Sequence, residues 1–377
     1  MIIIIYDSIM EELKQRNVYK HEIYAPYYIC SHAIHTFNLF NQKHKIYWES
    51  KRLPNMRLHV LFVAPPGFMK SFYLGTMGGD DFSVYAGSNL KIGYEGSMTE
   101  AGLVGTINDI GNGIVDDIDG AAKIYNSGFL LIDEFSALSN ALKVNYNCQM
   151  DTQMLSVLDS GYVNKRLAKG KIEYRTNMSL WAGVQPARYD LSSGLGRRLC
   201  FMVFLPTKTD NEILMDVMHE NRNIKPDVVE MEKLWGEIRT FQNDVNRIEH
   251  VEFPNDLKDL YHKLNLASYE SPYFDRIVLG YNLAKYGVEK RVEIEYHDKE
   301  LFNILDREKE WRDSITEGID YKQLKHMILM NGGEISKKEL VQECILIGWN
   351  AQQVFELLGE MKKYEMVSIK GDKITVI

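Results

Sequence analysis

The stretch HVLFVAPPGFMKS, residues 59–71, decides how the rest of the chain is read. The run HVLFV has the pattern of a buried strand, and it ends in a Pro-Pro-Gly turn followed by Lys70 and Ser71. A strand, a tight turn and a Lys-Ser pair opening a helix is the layout of a phosphate-binding loop, G-x-x-x-x-G-K-[ST]. In that loop backbone N–H groups cradle phosphates, the lysine neutralises them and the hydroxyl holds Mg²⁺. Here Ala64 and Met69 stand at the two glycine positions. Proline fixes φ at Pro65 and Pro66, and Gly67 admits positive φ and close approach to phosphate. Met69 is expected at negative φ, as a residue already in the helix start. Taken alone, Lys70-Ser71 is also how an ordinary amphipathic helix begins.

Two further apolar runs, FLLIDEF at 129–135 and NMSLWAGV at 177–184, are strand candidates separated by longer helical stretches. That alternation predicts an α/β fold with a parallel sheet, whose ligands sit at the C-terminal strand ends. The chemistry falls at those ends. FLLI runs into Asp133-Glu134, and nucleotide hydrolysis needs one acid to hold Mg²⁺ and a second to activate the attacking water. The other reading of this pair is a helix cap. NMSLWAGV leads to Gln185, an amide placed to reach a γ-phosphate or the attacking water, or else to bond loop backbone. Arg197 and Arg198 open the next apolar strand, FMVFLP at 201–206. A cation there stabilises transition-state charge, in cis or on a neighbouring subunit, or is a solvated gatekeeper.

With 377 residues and 45% apolar content, the chain is expected to form two or three domains around a sizeable core. The four cysteines are far apart with no C-x-x-C pair, which excludes a disulfide framework and a cysteine zinc site and points to a reducing, cytoplasmic compartment. The N-terminal MIIIIY lacks a basic flank and is too short for a signal sequence, so it reads as a buried strand or helix start, and no run is long enough to span a membrane. A net charge of −8 excludes a uniformly basic nucleic-acid binder but leaves room for a local basic surface. The segments divide as an N-terminal helical segment at 1–50, a core at 51–206, a helical, charged region at 207–313 and a separate unit at 318–377. Within the core, the glycine-rich stretch around GNG at 111–113 predicts a β-hairpin. In the last unit two helices are followed by VSIKGDKITVI, a ribbon turning at Gly371-Asp372. Helix, helix, hairpin is the winged-helix order.

Taken together, these residues resemble the AAA+ ATPases and, within them, the minichromosome-maintenance helicases. That family carries a loop of the form GDPGTAKS, in which the second glycine is already replaced. GFLLIDEF at 128–135 is similar to its Walker B segment, SMTEAGLVG and DGAAKIYNSG resemble the stretches flanking its helix-2 insert, and AGVQPARYD at 182–190 resembles its sensor 1. The resemblance covers roughly residues 56–205. It implies an AAA+ P-loop core with a parallel sheet, a helical lid and a C-terminal winged helix. ATP would lie on Ala64, Pro65, Pro66, Gly67, Phe68, Met69, Lys70, Ser71 and Phe72, with Ser71 and Asp133 holding Mg²⁺. Glu134 would activate water, and Gln185 would replace the family's sensor 1 asparagine with a side chain one methylene longer. Arg198, or else Arg197, would be the arginine finger. Arg276, in SPYFDRIVLGYNLAKY, would be sensor 2 or a surface arginine.

GYVNKRLAKGKIEY at 161–174 resembles the family's pre-sensor 1 hairpin, with Lys169 matching its DNA-contacting lysine. Lys165, Arg166, Lys169 and Lys171 would form a cluster of cations meeting phosphate, or simply a soluble turn. The family's N-terminal oligonucleotide-binding and zinc-binding module is expected to be missing ahead of residue 50. Loading and strand separation are therefore expected to differ, and a plasmid, virus or integrated element is the expected source. The expectation is an ATP-hydrolysing, homo-oligomeric ring, a hexamer, that translocates on or unwinds DNA in replication. The alternatives are an origin-binding initiator or loader, and a degenerate non-hydrolysing DNA-binding subunit.

Overall fold

The computed structural model describes residues 4–41, 47–48, 51–52, 56–96, 98–111, 114–135, 150–167, 170–185, 195–222, 224–316, 319–346 and 349–377. It is a mixed α/β structure built on one five-stranded sheet. The strands are β1 (His59–Val63), β2 (Ile92–Glu95), β3 (Phe129–Ile132), β4 (Ser179–Val184) and β5 (Leu199–Val203). They lie in the order β5-β1-β4-β3-β2, and every neighbouring pair is parallel. Parallel strands need crossover connections, which put helices on both faces and make the strands apolar throughout. β1, β3, β4 and β5 are buried along their whole length.

Because side chains alternate across a sheet, each strand feeds two cores. Val60, Phe62, Leu131 and Trp181 enter one; Leu61, Val63, Leu130 and Ala182 enter the other. The helices His21–Phe40, Val228–Asp244 and Ser271–Lys285 cover the first face, so residues from the 1–50 and 207–313 segments share one core with the sheet. The N-terminal apolar run is a helix start, Ile5–Gln15. Trp181 Nε1 donates to Ser31 Oγ at 2.8 Å, and Ser31 Oγ donates to Leu58 O at 2.5 Å, which ties β4 and the approach to β1 to the helix His21–Phe40. The second face carries the helix Met150–Leu158 and the hairpin Tyr162–Leu167/Gly170–Arg175. The glycine-rich stretch forms the expected hairpin, Thr106–Gly111 paired with Ile114–Ile118.

The C-terminal unit has its own apolar cluster, including Leu324, Leu340, Val354 and Ile374. Its order is helix Ile319–Met330, strand Glu334–Ser336, helices Lys337–Leu346 and Ala351–Lys363, then the hairpin Val367–Lys370/Lys373–Val376. The expected two-stranded ribbon is a three-stranded antiparallel sheet, because Glu334–Ser336 pairs with Lys373–Val376. Among the described residues no helix is long and apolar enough to cross a membrane, and Cys30, Cys200 and Cys344 are buried free thiols.

Candidate active site

β4 lies between β1 and β3, so the loop after β1, the acids after β3 and the amide after β4 emerge side by side at the C-terminal edge of the sheet. In register, Val184 pairs with Val63 and Ala182 with Ile132. Two backbone bonds hold the exits together: Ala64 N–H donates to Val184 O at 3.1 Å and Phe135 N–H to Gly183 O at 2.8 Å.

The loop turns at Gly67, whose φ is +78°, and the helix Lys70–Leu74 begins three residues on. Met69 is not the first helical residue. It is the N-cap, at φ +52°, in the left-handed region. The expectation of a negative φ is therefore corrected: the chain reverses handedness one residue before Lys70, at the position where the loop pattern has glycine. A side chain there crowds its own backbone at a cost of about 1–2 kcal/mol. Burial of the thioether side chain in the main core, at 6% exposure, offsets that cost. Phe68, half-buried, packs against both the main core and the C-terminal unit's apolar cluster, whereas Pro66, Gly67, Ser71 and Phe72 are exposed.

Lys70 is buried, and its Nζ donates to Ala64 O and Pro65 O, each at 2.7 Å. Burial pulls its pKa down to about 8, against the pull of the nearby Glu134 and Asp133 carboxylates. Ser71 Oγ donates to Asp133 Oδ1 at 2.6 Å, and Gln185 Nε2 donates to Glu134 Oε2 at 2.9 Å. The structure thus brings Lys70, Ser71, Asp133, Glu134 and Gln185 together from three strand ends. Ser71 Oγ and the Asp133 carboxylate form a hard, oxygen-only pair, the donor type that suits Mg²⁺, which completes its shell with phosphate and water. No cluster of three or more His, Cys, Asp or Glu side chains suited to a metal occurs among the described residues.

Other expected site residues lie elsewhere. Arg198 ends the turn Leu195–Arg198 just before β5, at the opposite edge of the sheet from the loop, so it does not act in cis; the side chain of Arg197 lies outside the described residues. Arg276 donates from Nη1 to Arg57 O at 2.8 Å, just ahead of β1 and so also at the far edge; within one chain it is not beside Lys70. Lys169 lies outside the described residues. The other hairpin cations do not form one cluster. Arg166 and Lys171 pair across strands on the exposed face, whereas Lys165 turns to the other face and bonds Glu100 at 3.0 Å. Lys171 itself is paired with Glu173 at 2.5 Å.

Four residues of the site and its supports escaped the sequence reading. Gly183 is needed in β4 because a Cβ there would meet Asp133 O at 2.8 Å and the Lys70 side chain at 3.1 Å. A glycine inside an apolar strand is the signal that could have revealed it. Tyr94, at the end of β2, lies against the Asp133 carboxylate; burial and that carboxylate raise its pKa. Arg57 is wholly buried and donates to Met178 O, Val157 O, Leu158 O and Asp159 O, while Asp159 Oδ2 takes Arg198 Nη2 at 2.7 Å. Neither carries a local sequence signal. Neither a protein-family model nor a curated protein matches the chain.

Proposed function

We propose that this chain is an AAA+-type ATPase, resembling the minichromosome-maintenance helicases, that assembles as a ring and couples ATP hydrolysis to movement on DNA. The observation that carries the reading is the Ser71–Asp133 bond of 2.6 Å, made between a phosphate-loop hydroxyl and a strand-end acid with Lys70 buried beside them. A side-chain pair converging in this way across an intervening strand is what a shared Mg·phosphate ligand requires.

In this reading Lys70 neutralises the phosphates and the loop amides cradle them. Ser71 and Asp133 would hold Mg²⁺, which would supply charge neutralisation on the phosphate oxygens. Glu134 accepts a proton from the attacking water at its carboxylate, and Gln185, already bonded to Glu134, orients both. Arg198, at the far edge of the sheet, serves the site of a neighbouring copy. The exposed face of the Tyr162–Arg175 hairpin meets the DNA backbone, and the C-terminal unit acts as a winged helix in an outer contact. A second reading, a nucleotide-binding subunit that does not hydrolyse, is favoured by the Gln185 amide engaging Glu134 directly.

ATP turnover with and without single-stranded DNA, beside unwinding of a forked substrate, tests the proposal. The motor reading expects DNA-stimulated turnover and unwinding, both lost in Lys169→Ala, with initial DNA binding weakened instead by removal of 318–377. Turnover absent under all conditions supports the second reading.

A further inference from the structure

The Asp133 carboxylate is approached from two sides. Ser71 Oγ donates to its Oδ1 at 2.6 Å from the loop after β1, and Tyr94, near the end of β2, brings its hydroxyl to the same carboxylate. The two approaches differ in kind. Ser71 is itself a metal-ligating hydroxyl in the ATPase reading, so its bond to Asp133 is given up when Mg²⁺ is held, whereas Tyr94 has no such second task.

Strand register places Tyr94. It stands opposite Leu131 in the parallel β2–β3 pair, so Asp133, two residues beyond Leu131, projects from the same face of the sheet. Glu95 pairs with Ile132, and Asp133 N–H donates to Glu95 O at 3.4 Å, which carries the pairing past the strand end. The helix Lys70–Leu74 continues as a π-helical turn, Gly75–Gly79, on that face. A Cβ at Gly79 would meet Tyr94 Cδ2 at 2.6 Å, and one at Gly78 would meet the Ile92 and Leu131 side chains at 3.3 Å. The two glycines therefore let the turn lie close on β2 and β3, with the Tyr94 ring against its backbone. At 42% exposure the ring adds little to the core.

We propose that Tyr94 is the positioning residue of the metal-binding acid, keeping the Asp133 carboxylate aimed once Ser71 Oγ has left it for Mg²⁺. This rests on the ATPase reading above and adds to that site a residue that touches neither nucleotide nor metal. Carboxylates that bind metals are themselves oriented by hydrogen bonds, and losing such an outer partner typically costs about 10–100-fold in metal affinity. Tyr94→Phe removes the hydroxyl alone and keeps the ring against Gly79.

The test is calorimetric titration with a non-hydrolysable ATP analogue, in saturating Mg²⁺ and in EDTA. The wild type, Tyr94→Phe, Asp133→Asn and the double variant are compared. The ratio of the two affinities measures the coupling between metal and nucleotide and needs no turnover. In the wild type Mg²⁺ tightens binding. In Tyr94→Phe the affinity in EDTA is unchanged and the ratio falls about tenfold or more. In Asp133→Asn the ratio collapses, and adding Tyr94→Phe lowers it no further. A ratio that Tyr94→Phe leaves unchanged, in a protein whose binding Mg²⁺ does tighten, overturns the role of Tyr94 and leaves the ATPase reading standing. Equal weakening with and without Mg²⁺, or a full further loss in the Asp133→Asn background, also overturns it, because Tyr94 then acts on the loop rather than through Asp133. A wild type that fails to bind the analogue, or binds it without regard to Mg²⁺, overturns the ATPase reading and the role of Tyr94 with it.

Discussion

Truncating Met69 tests the handedness of the loop after β1 through the sign of one difference. At an ordinary helical position glycine is less stable than alanine by about 0.5–1 kcal/mol, because it loses more backbone freedom on folding. At φ +52° the order reverses, since alanine keeps the left-handed penalty of about 1–2 kcal/mol and glycine does not. Both substitutions remove the same buried side chain, at a common cost of about 2–5 kcal/mol. The common term cancels in the comparison. Met69→Gly is therefore expected to exceed Met69→Ala in stability by up to about 1.5 kcal/mol, centred near about 0.8 kcal/mol, once glycine's entropy is deducted. Both should fall below the wild type. Urea midpoints of the three proteins, followed by tryptophan fluorescence, report the order. Alanine equal to or above glycine would refute the left-handed assignment and return Met69 to the helix.

Gly183→Ala should weaken ATP binding without loss of the folded state, because the new methyl must displace the Lys70 stem and press on Asp133 O; calorimetric titration beside far-UV circular dichroism reads both. ATP affinity should fall as pH rises through about 8, since burial lowers the Lys70 pKa and the neutral amine no longer offsets phosphate charge. Bound phosphate favours the ammonium, so binding should also take up protons above that pH, and Lys70→Arg should flatten the profile.

The parts of the fold that a single run of residues determines were legible in the sequence. HVLFV, FLLI and SLWAGV are buried on both faces and so lack polar alternation, which marks central parallel strands. The strand Ile92–Glu95 was not read, because it lies at the sheet edge, is only partly buried and has Gly93 against the Tyr125 ring. The hairpins were visible through GNG and GD. Which hairpin cations face outward was not, since that depends on register: Lys165 pairs opposite Ile172 and turns inward, while Arg166 pairs opposite Lys171. Lys70, Ser71, Asp133, Glu134 and Gln185 stood out because each follows a strand. Arg57 and Asp159 did not, because their partners are backbone carbonyls and an arginine far away in sequence. Met69 was misread because the loop pattern gives residue types and spacing, whereas the handedness of the turn is set by where the helix begins.

The central claim is that residues 64–71 and Asp133-Glu134 form one ATP-hydrolysing site. Mg·ATP affinity and single-turnover hydrolysis, measured on the wild type, Lys70→Ala and Glu134→Gln, test it most directly. The account predicts that the wild type binds and hydrolyses, that Glu134→Gln binds with near-wild-type affinity but turns over at least a hundredfold more slowly, on the order of a lost general base, and that Lys70→Ala binds poorly. Wild-type hydrolysis in Glu134→Gln, or unchanged affinity in Lys70→Ala, would contradict it.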